Sequence, residues 1–402
     1  MAAYAGFDPT SDSLHVGNFI AILSLMHAQR NGLRPIAIVG GATGLIGDPS
    51  GKTTERQLLT KEKVAQNVKG IQKVLERFLD FNHPKAPARI INNLDWFGSM
   101  SAIDFLRNVG AHFRIGSMLA KESVKARMEG SGSAGEGMSY TEFSYQLLQG
   151  YDFYKLYKEH DCVLQLGGSD QWGNITAGID VIRKLEGEGG NAFGVTMPLI
   201  TTASGQKFGK SEGNAVWLSA EKTSPYDFHQ FWLRVEDADV ERYLKYFTFL
   251  PLAEIAQLAE QVKTAPQNRA AQKRLAEMMT TLVHGESAAR EAASAAAVMY
   301  GGDGAQALDA AGIEALSKEV PSFEVDRAKL IAGWSPIEAL RDSGLVKSGG
   351  EARRLIAQGG FYVNNQPWND PTKALGEAEL AAGVAVVLRT GKKNYRIARV
   401  RS

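Results

Sequence analysis

The sequence predicts an α/β chain in three parts: a Rossmann-like parallel-sheet domain, an α-helical domain, and a small α+β module at the C-terminus. Three observations carry this reading. Strand and helix signals alternate from residue 1 to about 215, as βαβ units require. Strand signals vanish between about 222 and 320, where Ala, Glu, Gln and Leu dominate. The C-terminal stretch is basic: residues 335–402 hold eleven Lys and Arg against six Asp and Glu, and Arg389–Arg401 holds six basic residues and no acid. The expected boundaries are 1–220, 221–320, a linker over 321–335, and 336–402, a division in keeping with a chain of 402 residues.

The elements follow in order. Ala5–Phe7 ends a first strand, and Leu14–Asn31 has helical periodicity that stops near Gly32. Pro35–Val39 is a short buried strand running into a glycine loop, and Lys61–Phe78 is helical. Arg89–Ile91 and Val163–Leu166 are further strands, each followed by a helix. Gly130–Gly137 reads as a surface loop. After the helical region, residues 336–365 contain two short helices and a turn-linked strand. A sheet of this kind binds ligands at the C-terminal ends of its strands.

Composition narrows the classes. Hydrophobic residues make up 44% and charged residues 22%, and no apolar run reaches the length of a membrane span. The N-terminus lacks the basic and apolar segments of a secretion signal. Cys162 is the single cysteine, which excludes an internal disulfide and a multi-cysteine zinc site and fits a reducing cytoplasm. In the apolar run CVLQL it reads as a buried strand residue. The net charge of +1 does not advertise nucleic acid, but the basic C-terminus is suited to phosphate backbones.

Five constellations carry chemistry. In the first, Gly6 lets a ligand lie against the strand, and Asp8 and Thr10 end that strand with polar groups. His15, Gly17 and Asn18 open the following helix, where outward N–H groups hold phosphates. In the second, Gly40–Thr54 superficially suggests a P-loop, but only three residues separate Gly47 from Gly51, and Ile46 stands where the motif needs glycine. The loop instead passes close to a small ligand, with Asp48 as a carboxylate suited to an ammonium group. In the third, Tyr145, Gln149 and Asp152 stand at i, i+4 and i+7 on one helix face and make a polar pocket wall. In the fourth, Gln165, Gly168, Asp170 and Gln171 span a strand, a tight turn and a helix start. Gly168 and Asp170 suit a ribose, and the two glutamines can orient an amino acid. The fifth is Lys207-Phe-Gly-Lys210-Ser211, a basic loop able to neutralise charge developing on phosphates.

Taken together and in this order, these strings resemble the tyrosyl-tRNA synthetases of class I, bacterial type, over essentially the whole chain. The resemblance implies an enzyme, a tyrosine–tRNA ligase. It would activate L-tyrosine with ATP to tyrosyl-adenylate and pyrophosphate, then pass tyrosine to the 3′ end of tRNA(Tyr). It implies that Thr10, His15, Lys207, Lys210 and Ser211 serve the pyrophosphate-bearing transition state. Gly6, Asp8, Gly17, Asn18, Gly168 and Asp170 would meet ATP. Asp48, Tyr145 and Gln149 would bind the amino group of tyrosine, with Gln165 and Gln171 orienting it, while Tyr4 and Asp152 would take the phenolic hydroxyl.

Position 18 departs from the family, which usually carries a second histidine there; Asn still offers a side-chain donor. Mg²⁺ would accompany ATP, with no structural metal held by the protein. The family is dimeric, and a cytoplasmic homodimer without membrane attachment is expected. The helical and basic C-terminal parts would hold tRNA, Arg353 and Arg354 touching its backbone. Members of the family carry a helix and a strand, about 30 residues and small beside a domain, ahead of the tyrosine matched by Tyr4. In a chain shortened in that way, Tyr4 would lie on a frayed terminus. The competing readings are a tryptophan-activating relative, a non-catalytic RNA-binding paralogue on the same scaffold, and a nucleotidylyltransferase. Tyr4 and Asp152 argue against the first, the retained His15, Asp48, Asp152, Lys207 and Lys210 against the second, and the C-terminal module against the third.

Overall fold

The computed structural model describes residues 1–50, 58–129, 138–203, 205, 208–211, 214–300, 310–391 and 394–401. The expected loop Gly130–Gly137, Lys207, Lys392 and Lys393 lie outside them. The chain divides into two compact units, Met1–Lys222 and Thr223–Ser402.

The first unit is built on five parallel strands: β1 (Ala2–Phe7), β2 (Arg34–Val39), β3 (Arg89–Asn92), β4 (Cys162–Gly168) and β5 (Phe193–Met197). They are ordered β3-β2-β1-β4-β5. Chain direction across the sheet reverses at β1, so the crevice beyond the C-terminal ends of β1 and β4 is the topological switch point where ligands bind in such sheets. The helices between these strands are α1 (Val16–Arg30), α2 (Thr43–Ile46), α3 (Lys61–Leu75), α4 (Leu94–Phe97), α5 (Ala102–Asn108), α6 (Ile115–Leu119), α7 (Glu122–Glu129), α8 (Tyr140–His160) and α9 (Trp172–Glu186). A two-stranded ribbon, β6 (Lys210–Ser211) and β7 (Asn214–Ala215), follows.

Local chemistry explains where the helices begin. Thr60 accepts from the Lys63 N–H at the start of α3, and Ser139 from the Glu142 N–H at the start of α8. Asp161 ends α8 in the left-handed region at φ 54°, where an Asp is tolerated. The central strands β1 and β2, mostly buried along their length, read as continuous apolar runs rather than alternating ones. β5 escaped the sequence reading because Gly194 interrupts its pattern; a Cβ there would sit 2.3 Å from Ile175 Cγ2, so close packing on α9 demands the glycine.

Tyr4 does not fray. It lies in the central strand, pairs with Ile36 on one side and Gln165 on the other, and is 1% exposed. Two flanking strands hold it despite its closeness to the chain start. Cys162 is fully buried, and burial pushes its thiol up to about 12, which leaves it a packing residue.

The second unit begins with helices α10 (Pro225–Leu233), α11 (Asp237–Phe247), α12 (Leu252–Thr264), α13 (Ala270–His284), α14 (Glu286–Tyr300) and α15 (Ala310–Glu319). A separate mixed sheet follows, formed by β8 (Ser322–Asp326), β9 (Phe361–Val363), β10 (Gln366–Pro367), β11 (Ala385–Thr390) and β12 (Asn394–Arg401). Its order is β10-β9-β11-β12-β8, with α16 (Arg327–Ile331), α17 (Pro336–Asp342) and α18 (Gly349–Ala357) packed beside it.

The expected linker 321–335 is corrected here. Ser322–Asp326 is an edge strand parallel to β12, α16 follows directly, and Trp334 is fully buried. The partner strand lies some seventy residues later in the chain (Ile397 opposite Ser322), so no local pattern reveals the pairing.

The α8–α9 contact in the first unit is tight enough to test. A Cβ on Gly178 would lie 2.9 Å from Phe153 Cδ1 and 3.0 Å from its Cβ, and Phe153 is fully buried. Gly178→Ala should therefore destabilise the first unit by about 1–3 kcal/mol, an overpacking cost, measured as an earlier thermal unfolding transition.

Candidate functional site

The site grows from the C-terminal end of β1. Asp8 follows that strand, and its carboxylate accepts from the Thr43 hydroxyl at 2.7 Å and from the Tyr145 hydroxyl at 2.8 Å. Gly40 must be glycine: a Cβ there would come within 2.2 Å of both Asp8 Oδ1 and Thr43 Oγ1. At Gly6 the opposite holds, because no atom lies within 4 Å of where a Cβ would be. The strand thus offers bare backbone to a ligand. Thr10, Gly44 and Gly47 join Asp8 around a cavity of about 210 Å³.

A second chain of bonds runs inward. Asn93 donates Nδ2–H groups to Thr43 Oγ1 at 3.1 Å and to Asp152 Oδ2 at 3.0 Å, and the Trp96 indole N–H donates to Asp152 Oδ1 at 3.0 Å. Both carboxylate oxygens of Asp152 are engaged, and the residue is 3% exposed. Burial pushes its carboxyl up to about 7; the Asn93 and Trp96 donors oppose the shift, and the Asp8 charge adds to it. Tyr145 is likewise raised, first by burial and then by the charge of Asp8, to which its hydroxyl donates, with Asp48 and Asp152 adding to the effect.

A third set lies alongside. Asp48 Oδ2 accepts from Gln171 Nε2 at 2.7 Å, and its Oδ1 accepts from the Ser50 backbone N–H at 2.9 Å. Gln171 Oε1 in turn accepts from Gln149 Nε2 and from Asn174 Nδ2, each at 3.3 Å. Gln171 closes the turn that begins at Gly168 and includes Asp170, and a Cβ on Gly168 would sit 2.4 Å from Asp170 Oδ1.

Three polar atoms of this region are buried without a partner: the Tyr4 hydroxyl, Gln149 Oε1 and Gln165 Oε1. Tyr4 and Gln165 are register neighbours, and Asp152 lies close enough to Tyr4 to raise its phenol further after burial. Native proteins seldom leave such atoms unsatisfied, and where they do, a role in function is the first explanation to seek. Donors and acceptors for a polar ligand are what these atoms lack.

The phosphate end is built separately. His15 is the N-cap of α1: its Nδ1 accepts from the Gly17 N–H at 3.0 Å, and its own N–H donates to Asn18 Oδ1 at 3.2 Å. This reciprocal box fixes the helix start. It also sets the imidazole tautomer, since an accepting Nδ1 leaves the proton on Nε2. Segment 208–211 lies against it: a Cβ on Gly209, at φ 90°, would be 3.2 Å from Gly17 N.

The structure thus brings together Tyr4, Asp8, Asp48, Tyr145, Gln149, Asp152, Gln165 and Gln171, and sets His15, Gly17 and Asn18 beside the loop containing Lys210 and Ser211. Of the last two, only the backbone ribbon is described. Arg353 and Arg354 are exposed on α18 in the second unit. The sequence reading missed Thr43, Asn93, Trp96 and Asn174. The signal for Asn93 was present: an Asn pair at the C-terminal end of a strand lies where ligands bind in this sheet type.

Residues 1–301 match the family described as tRNA synthetases class I (W and Y), and residues 312–398 match the tyrosine–tRNA ligase SYY-like C-terminal domain. The tyrosine–tRNA ligase of Bacillus caldotenax is 51% identical over 397 residues, covering 98% of this chain and 92% of that protein. The one from Flavobacterium psychrophilum is 47% identical over 404 residues, covering 99% and 93%. Among solved structures, a C-terminally truncated mitochondrial tyrosyl-tRNA synthetase of Aspergillus nidulans superposes with a TM-score of 0.62 at 33% identity, over 72% of this chain and 83% of that one.

The Asp152 environment predicts a pH effect. An unfolded carboxyl titrates near 3.9 and this one at about 7, so between those values the native state holds a proton that the unfolded chain has lost. The group therefore contributes stability at low pH that is lost as pH rises through that window. Asp152→Asn should raise the melting temperature of the ligand-free protein more at pH 8 than at pH 5. An equal effect at both would show an ordinary carboxyl.

Proposed function

Since the chain belongs to the class I tRNA synthetases of the tryptophan and tyrosine type, we propose that the pocket at the end of β1 is where it holds tyrosine and ATP. The protein is a tyrosine–tRNA ligase, an ATP-dependent enzyme whose substrates are L-tyrosine, ATP and tRNA(Tyr). Its relatives at about half identity support neither the tryptophan-activating nor the non-catalytic reading.

The observation that carries the site assignment is the buried Asp152 carboxylate, held by Asn93 and Trp96 beside the unpartnered Tyr4 hydroxyl. Asp152 accepts from the phenolic hydroxyl of the substrate and Tyr4 donates to it. At the other end, Asp48, Tyr145 and Gln149 receive the ammonium group, and Gln165 and Gln171 orient the amino acid. Gly6, Asp8, Gly17, Asn18, Gly168 and Asp170 border ATP, the last offering a carboxylate to the ribose.

A tyrosine carboxylate oxygen attacks the α-phosphorus of ATP. The bond from that phosphorus to the bridging oxygen breaks, and pyrophosphate leaves with the electron pair. Thr10, His15, Lys207, Lys210 and Ser211 stabilise the charge that builds there, while binding supplies alignment. A ribose hydroxyl of the tRNA 3′ end then attacks the tyrosyl carbonyl carbon, and AMP departs. Mg²⁺ enters bound to ATP as part of the substrate; among the described residues there is no group of three or more His, Cys, Asp or Glu side chains placed to hold an ion.

We further infer a homodimer, supported by the exposed apolar side chains Leu94, Ile103, Leu106, Ile115 and Leu119 gathered within α4–α6. The division proposed from sequence, with catalysis in 1–220, anticodon-side helices in 221–320 and an RNA-binding module in 336–402, assigns tRNA contacts to the second unit. The exposed Arg353 and Arg354 support that assignment. No helix among the described residues is long and apolar enough to cross a membrane. The bacterial relatives and the single buried cysteine support a cytoplasmic location.

The deciding experiment is amino-acid-dependent ATP–pyrophosphate exchange. Asp152→Ala should abolish the tyrosine-dependent rate, and exchange that survived would remove Asp152 from the substrate site. Replacing Arg353 and Arg354 together by Ala should leave exchange unchanged. It should raise the KM for tRNA several-fold and flatten the salt dependence of aminoacylation by about one to two counterions. An unaltered salt slope would argue that α18 makes no phosphate contact.

A further inference from the structure

The backbone running into α1 and the strand leaving the β6–β7 ribbon are joined. The Val16 N–H donates to Val216 O at 2.9 Å, the Leu218 N–H donates to Leu14 O at 2.9 Å, and His15 and Trp217 face each other as an antiparallel bridge between them. At this bridge the side chains also meet. The Trp217 ring lies 5.9 Å from the His15 imidazole, centroid to centroid, at 68°, an edge-on contact of the kind aromatic rings favour. Lys222 Nζ lies 4.7 Å from the Trp217 ring centroid and pairs with Asp12 at 2.5 Å. Asp12 belongs to the loop that leads to His15. The result is a closed circuit: Asp12, Lys222, Trp217, His15 and back along the chain through Leu14 and Ser13.

We propose that Trp217 is a positioning residue for adenylate formation, acting through His15. The inference rests on the role assigned to His15 above. Among the contacts that hold the imidazole are the Gly17 N–H on Nδ1 and the edge-on Trp217 ring. The first sets the tautomer. The second resists the rotation that would break the first, because Trp217 is itself held by the backbone bridge and by Lys222. The same strand continues back into the ribbon that starts at Lys210, and the Val216 N–H donates to Gly209 O at 3.0 Å. One tryptophan therefore registers both nucleotide-facing segments against each other. Its loss should disturb the adenylyl-transfer step more than tyrosine binding, since its contacts with His15 and with the backbone beside Gly209 lie at the nucleotide-facing segments.

The test is a double-mutant cycle on tyrosine-dependent ATP–pyrophosphate exchange. His15→Ala alone should lower kcat. Trp217→Ala should lower kcat about 10-fold or more, with the tyrosine KM within about twofold of wild type. Trp217→Phe, which keeps a ring edge, should restore kcat to within about threefold. On the His15→Ala background, Trp217→Ala should cost less than about twofold, the signature of residues acting as one unit. Fully additive losses, or an unchanged kcat in Trp217→Ala, would overturn the proposal while leaving the role of His15 standing. Wild-type kcat in His15→Ala would instead overturn that role, and the inference with it. Should Trp217→Ala not fold, the contrast between Trp217→Phe and Trp217→Leu serves: equal kcat overturns the proposal, and a rate recovered only by Phe upholds it.

Discussion

A carboxylate taken out of water sets the terms for the first unit. Asp152 is fully enclosed, and an enclosed charge without partners would be prohibitively costly. Two donors, Asn93 and Trp96, offset part of that cost, and those donors must in turn be fixed. Asn93 reaches Thr43, Thr43 reaches Asp8, and Asp8 receives Tyr145, which stands two turns before Asp152 on the same helix. The circuit therefore ties β1, α2, the end of β3 and α8 to one point. In a low-dielectric interior such a network is strong when complete and expensive when broken. That asymmetry specifies where these elements sit more sharply than apolar packing alone could.

In the proposed site the same asymmetry would govern substrate choice. A pocket floored by an enclosed carboxyl group and a phenol would reject a ligand without a hydroxyl, because its own polar groups would stay unpaired, a rule for which tyrosyl-tRNA synthetases are themselves the standard illustration. The unpartnered Tyr4 hydroxyl and Gln165 Oε1 mark where that satisfaction must come from. The proposed phosphate end works by a different principle: backbone N–H donors at a helix start and an imidazole of fixed tautomer suit charge that appears only during reaction.

The second unit follows a separate logic. Its mixed sheet is closed on one side by β8, parallel to β12, while every other pairing in that sheet is antiparallel. Trp334, Phe361 and Leu388 pack within its core, and the basic residues of α18 remain outside. A small module of this kind needs its edge strand to bury enough apolar surface. That is why a segment with the look of a linker is structured.

The sequence alone determined the strand–helix alternation and the glycine-bounded turns, and it named the residues from which the site is proposed. Each of these is a local matter of periodicity, spacing or side-chain chemistry. Tyr145, Gln149 and Asp152 could be placed on one face because helical geometry fixes it, and His15 at a helix start because the pattern changes there. Tertiary structure alone decided what lies far apart in the chain. It placed Asn93 and Trp96 on Asp152, some sixty residues away, paired Ser322 with Ile397, held Tyr4 between two strands, and set Trp217 against His15. The physical reason is common to all four: a long-range contact is selected by the free energy of burying and satisfying groups together, and no stretch of sequence read by itself contains that sum.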